Sequence, residues 1–241
     1  MLKVYVRKDL KMNRGKTIAQ ISHVAMKYVL SALSVENGII TGEKSVLEKL
    51  RLIASDVENY VDIVMINSEE EAQQALNSYD GYATSIIDNG HTYFKGQKTL
   101  TCIAVDADRR IPVLREPEYG IDDRDVKQVL LFNSGLEMQK QEQYSVAIAI
   151  AMNTILERMV DDSLDLNKEE NLFLQQWLRG CFKKVTLKTK LNETMQSVRN
   201  EAESRGMTVI SHSVNGNMAA VAIGAAPTHM FAGLTDTLTL Y

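Results

Sequence analysis

The chain has little proline, little cysteine and no long apolar run. Its three prolines are Pro112, Pro117 and Pro227, so helices and strands elsewhere run free of that interruption. Cys102 and Cys181 stand alone; with no Cys/His cluster at zinc-ligand spacing they read as two buried thiols, and neither a disulfide scaffold nor a structural metal site is expected. No apolar stretch approaches the roughly 20 residues a membrane span needs, and the opening MLKVYVRKDLKM lacks the uninterrupted apolar core and small-residue cleavage site of a secretory signal. A cytoplasmic protein with no membrane contact is expected. The net charge of −4 argues against a general polyanion binder.

What is present is ordinary for a folded soluble chain, 45% hydrophobic and 24% charged, and its 241 residues fit either one large domain or two of about 100–150 residues. The charge is uneven. Across residues 1–27, Lys3, Arg7, Lys8, Lys11, Arg14, Lys16 and Lys27 face a single acid, Asp9, for a local charge of +6. On charge alone, a solvated face accounts for this as well as a binding patch does.

Periodicity organises the chain into the same series of elements, run through twice. The first half reads as a strand Leu2–Val6, a helix Lys16–Leu33, a helix Ser45–Asn59, a strand Val61–Ile66, a helix opened by the capping box Ser68-Glu69-Glu70-Glu71, and strands Tyr82–Ile87 and Thr99–Val105. The second half reads as a strand Val129–Phe132, helices Gln143–Val160 and Lys168–Phe182, a strand Val185–Thr189, a helix Asn192–Ser204, and strands Thr208–Ser211 and Ala219–Ile223. Leu10-Lys11-Met12 meets Leu136-Glu137-Met138 at an offset of 126 residues; the offset is 124 at Thr84/Thr208 and 118 at Ala104/Ala222, which removes six residues from the loop between the last two strands. The expected architecture is α/β: two similar domains, each a four-stranded mixed sheet flanked by helices, packed as an intramolecular pseudo-dimer. The domains are residues 1–106 and 127–241, and the charged stretch 107–126 reads as a linker.

Two places carry chemistry. The turn Asp9–Lys16 leaves a strand and enters a helix, where free backbone N–H groups and the cations Lys11, Arg14 and Lys16 converge on a candidate anion site. Lys16, Gln20 and His23 then share one helix face; a lone helical histidine, however, is more often structural than catalytic. The second place is Asp88-Asn89-Gly90-His91-Thr92 at a strand end, where Gly90 suits a turn that sets Asp88 beside Thr92. A plain polar loop explains it equally well. An aspartate beside a lysine and a hydroxyl can polarise a water for ester cleavage, with no metal or cofactor called for.

The segment from Val4 to His23, with its Asp9-Leu10-Lys11-Met12, Gly15-Lys16 turn and Ala19-Gln20-Ile21-Ser22-His23, resembles the first signature of the archaeal and eukaryotic-type peptidyl-tRNA hydrolases. Val24 stands where that signature ends in alanine. Asp88-Asn89-Gly90-His91-Thr92 is similar to the second signature, Asp-Ala-Gly-Arg-Thr, with His91 in place of arginine. The family cleaves the ester joining a stranded peptide to tRNA and works as a homodimer. The resemblance implies Lys16, Asp88 and Thr92 as catalytic residues: Asp88 orients or deprotonates the water, Lys16 stabilises the oxyanion, and Thr92 holds the water. It further implies Lys11, Arg14, Gln20, His23 and His91 as substrate-binding residues and tRNA as the partner. The second half resembles the family through Gly206–Val209, Val221–Gly224 and the ending Thr237–Tyr241, but Glu142, Val146 and Ala149 replace Lys16, Gln20 and His23. It is expected to be a non-catalytic copy in the place of a second subunit, in a monomeric chain with one active site.

Two other readings compete. A decoy would keep the fold and bind tRNA without cleaving it. A nucleotide-binding P-loop would use Gly15-Lys16-Thr17, but Leu10 occupies the position of its first glycine.

Overall fold

The computed structural model describes residues 1–78, 82–90, 93–106, 125–180 and 182–241. The expected linker, apart from Asp125 and Val126, lies outside the described residues, as does Cys181.

The first half runs β1 (Leu2–Arg7), α1 (Arg14–Ser31), β2 (Ser34–Glu36), β3 (Ile39–Thr41), α2 (Lys44–Ser55), α3 (Val57–Tyr60), β4 (Val61–Ile66), α4 (Glu69–Asn77), β5 (Tyr82–Asp88) and β6 (Thr99–Asp106). The second half runs β7 (Val126–Asn133), α5 (Lys140–Leu156), β8 (Ser163–Asp165), a 3-10 turn (Glu169–Asn171), α6 (Leu172–Arg179), β9 (Lys184–Thr189), α7 (Asn192–Ser204), β10 (Val209–Val214), β11 (Asn217–Pro227), a second 3-10 turn (Thr228–Phe231) and β12 (Thr239–Leu240). Val126, assigned to the linker on sequence, opens β7.

The first sheet has the order β4-β1-β6-β5, with β1 and β4 parallel and the remaining pairs antiparallel. The second has the order β10-β11-β7-β9-β12. Its first four strands reproduce the first sheet's order and directions; the fifth, β12, was not expected and pairs with β9. A third small sheet, β2-β3-β8, joins strands from both halves. Three-residue strands carry too little periodicity to be read in advance.

Capping explains where the helices begin. The Asn13 side chain accepts from the Lys16 N–H at 2.8 Å, so α1 begins at Arg14, two residues before the sequence-based expectation. Gln139 caps α5, and the Glu142 carboxylate returns to the Gln139 N–H. At α4 the Ser68 hydroxyl accepts from the Glu71 N–H, but the Glu71 carboxylate accepts from the Asn67 N–H rather than closing the box on Ser68. The expected helix Ser45–Asn59 breaks at Asp56, where the backbone leaves the helical region.

Alternation along the strands builds the layers. Val4, Val6, Leu130 and Phe132 enter a central core, while Ile103 and Val105 meet α4, and Val129 and Leu131 meet α7. Between the sheets lie α1 and α5, one from each half, and their residues belong to one continuous cluster. The Ser22 hydroxyl donates across this junction to the Ala147 carbonyl at 3.4 Å. Fifteen of the eighteen residues of α1 are buried; the other three are Arg14, Lys16 and His23. Cys102 is buried in the same core, which pushes its thiol pKa up. Among the described residues no helix is long and apolar enough to cross a membrane.

Because the core is shared, both halves are expected to unfold in one transition. Ile148→Ala, at a fully buried position of α5, should cost about 2–5 kcal/mol. Denaturation followed by near- and far-UV circular dichroism checks both; a variant in which one half melts separately would contradict the shared core.

Candidate functional site

The turn that precedes α1 is fixed by ion pairs. Arg7, buried at the end of β1, donates to Asp9 at 2.6 Å and to Glu69 at 2.6 Å. The guanidinium holds the Asp9 carboxyl below its ordinary range. Asp9 thus ties the turn to its strand. Lys27 is also buried and donates to the Ser85 carbonyl at 3.2 Å. The basic cluster of residues 1–27 is therefore partly internal, and Lys8, Lys11 and Arg14 are its exposed members.

From this turn Lys16 reaches across to the end of β5, where its ammonium pairs with Asp88 Oδ2. Gln20, one turn further along α1, donates to the same oxygen at 2.9 Å. The Gly90 N–H donates to Asp88 Oδ1 at 2.8 Å. A carboxylate oxygen has two lone pairs, so Oδ1 keeps one for a water. Gly90 sits at φ +78, and a Cβ there would meet Gln97 backbone at 2.6–2.7 Å, which is why glycine makes this turn. Lys16 and Asp88 are mostly covered, with side-chain exposures of 16% and 12%.

Behind them stands a residue that the sequence reading missed. Thr101, fully buried on β6, donates to Gln20 Oε1 at 2.6 Å, which sets the amide so that its NH2 faces Asp88. Phe94 lines the other side, its ring centre 5.8 Å from the Lys16 ammonium, and Tyr93 donates from its hydroxyl to the Lys11 carbonyl at 2.6 Å. His91 and Thr92, expected in this loop, lie outside the described residues.

His23 shares the helix face of Lys16 and Gln20 but turns toward the second half. Its Nδ1 lies 3.4 Å from the ammonium of Lys184 at the start of β9, and an ammonium only donates, so Nδ1 is the acceptor. Burial first, then the charges of Lys184 and Lys16, push the His23 pKa well below 6.5. The ring is neutral at neutral pH. Lys184 itself rests on the Trp177 ring at 4.5 Å.

The expectation of free N–H donors at the start of α1 needs correction. The Lys16 N–H is taken by Asn13, and the Gly15 N–H donates to the Tyr241 carbonyl at 3.2 Å. A Cβ on Gly15 would lie 2.5 Å from that oxygen. The positive charge of this turn lies on its side chains. Arg14 is one of them, its guanidinium 5.7 Å from the Tyr241 ring centre; Lys11 is exposed, at φ +49.

Among the described residues of the second half there is no equivalent grouping. Glu142 occupies the helix position of Lys16 and is folded back as a cap, while Val146 and Ala149 are packed in the core. The loop that carries Asp88 and Gly90 is reduced to the two-residue turn Asn215-Gly216, both at positive φ, as a tight hairpin demands.

A family model described as Peptidyl-tRNA hydrolase PTH2 matches the chain twice, over residues 1–112 and 126–241. A peptidyl-tRNA hydrolase of Thermoplasma volcanium is 29% identical over 110 residues, 46% of this chain and 86% of its own length. The two matches account for the repeated order of elements as a tandem duplication.

Proton NMR of the imidazole should show His23 uncharged from pH 6 to 8. Lys184→Met removes a positive neighbour and should move its titration upward; an ordinary titration near 6.5 in the wild type would contradict the assigned contact.

Proposed function

Since this chain belongs to the Peptidyl-tRNA hydrolase PTH2 family through both of its halves, we propose that it hydrolyses the ester between peptide and tRNA, using the site of the first half. The observation that carries this reading is the meeting of Lys16, Gln20 and Asp88 at one partly covered point. An ester needs a placed water and a positive charge where the carbonyl oxygen turns anionic. Asp88 Oδ1 receives the water and orients it. Lys16 supplies the charge. The water oxygen bonds to the carbonyl carbon, and the ribose oxygen leaves with a proton. Thr92 is assigned the role of second partner to the water, with Gln20 a positioning residue that keeps Asp88 aimed.

In the same reading residues 1–106 form the catalytic domain, 107–126 the linker, and 127–241 a partner domain in the place of a second subunit. One chain then acts as a pseudo-dimer in the cytoplasm. Lys11, Arg14, His23 and His91 line the approach of the tRNA, and His91 introduces a titratable group where the family signature has arginine. The neutral state of His23 favours a hydrogen-bonding or packing role over a charged one.

Lys16→Ala should lower the turnover of peptidyl-tRNA by about 10²–10³-fold, the loss that follows removal of an oxyanion donor. Asp88→Asn should lower it by about 10²–10⁴-fold. Release of free tRNA by purified protein is the measurement. Wild-type rates in both variants would remove this site from the reaction, and tight binding without release in the wild type would make the chain a tRNA-binding decoy.

A further inference from the structure

The duplication creates two equivalent junctions, each where a long helix meets the opposite half's strand that runs parallel to its first strand, β4 or β9. They differ in charge. At one, α5 begins with Lys140, Gln141 and Glu142, and Gln141 donates to the Ile63 carbonyl of β4 at 3.1 Å. β4 carries one acid, Asp62, and no cation. At the other, α1 begins with Arg14 and Lys16 and packs beside β9, whose segment Lys183–Lys190 holds four lysines and no acid. The second half is otherwise rich in acids, so this strand departs from its surroundings.

Strand alternation puts Lys184 and Lys188 on one face of β9, about 13 Å apart at 3.3 Å per residue. Contacts place that face against α1, with Lys184 at His23 and Lys188 at the Tyr241 ring, 5.4 Å from its centre. Arg14 reaches the same ring at 5.7 Å. Phe132 stacks on it with an interplanar angle of 9°, and the Tyr241 hydroxyl donates to Gln143 at 2.9 Å, so the ring is a fixed platform. It holds two cations from different halves close together. Among the described residues neither Arg14 nor Lys188 is in an ion pair. Like charges held at one platform beside the Lys16–Asp88 site are stabilised by an external anion. A phosphate backbone supplies such anions in series.

We infer that β9 of the second half is a phosphate-binding surface for the tRNA substrate, with Lys188 and Lys190 continuing the cationic track begun by Arg14. The half that has lost its own chemistry contributes to binding at the other half's site. The inference rests on the reading of the site as a peptidyl-tRNA hydrolase.

The test is the salt dependence of the full chain's affinity for peptidyl-tRNA. Each lost phosphate contact reduces the slope of log K against log salt by about 0.7–0.9, so Lys188→Gln/Lys190→Gln should reduce it by about 1.5. Lys188→Arg/Lys190→Arg should keep the wild-type slope. Lys140→Gln, at the opposite junction, should leave it unchanged. A wild-type slope in the glutamine pair, or an equal reduction from Lys140→Gln, overturns the inference while wild-type hydrolysis leaves the reading of the site standing. A wild-type chain that neither binds nor cleaves the substrate overturns both.

Discussion

Helix α1 is apolar on almost every side, and one sheet cannot cover it. Buried apolar surface stabilises by about 25 cal/mol per Å², and here fifteen of eighteen residues contribute to or lie within that burial. The first sheet covers one side of the helix, and α5 with β9 covers another. The first half therefore depends on the second for its own fold. Of the three residues of α1 that retain exposure, Arg14, Lys16 and His23, Lys16 and His23 share one face of the helix, and Arg14 leaves its first turn on another. Positioning of the proposed chemistry is a by-product of how the helix is buried.

This dependence gives the second half a structural role in the chain. Glu142, at the helix position of Lys16, caps α5. Val146 and Ala149 have joined the core, and Asn215-Gly216 closes the hairpin where a functional loop would stand. Each of these residues serves packing, helix capping or a tight turn. Two of the contacts that the second half makes with the first, Lys184 to His23 and Tyr241 to Gly15, fall on the helix that carries Lys16.

Much of this was legible in the sequence. β4 and α7 have the bounds that apolar alternation and helical spacing indicate, Val61–Ile66 and Asn192–Ser204. The strand order repeats because the element order repeats. The starts of α1 and α5 were read two and three residues late, although Asn13 and Gln139 stand at the capping positions; the apolar pattern begins later than the helix does. Lys16 and Asp88 were found together through a resemblance of motifs and not through spacing, since 72 residues separate them. Thr101, Lys184 and Tyr241 carry no local signature. Thr101 is an inward residue of a buried strand, 81 positions from its partner Gln20. Lys184 is 161 positions from His23. Only tertiary packing brings such pairs within reach.

The central claim is that Lys16 and Asp88 form one working unit. A double-mutant cycle on kcat/KM for peptidyl-tRNA, comparing Lys16→Ala, Asp88→Asn and the combined variant, tests it most directly. The account predicts strong non-additivity, with the combined variant little slower than the worse single one. Losses that multiply independently would show two unconnected residues and contradict it.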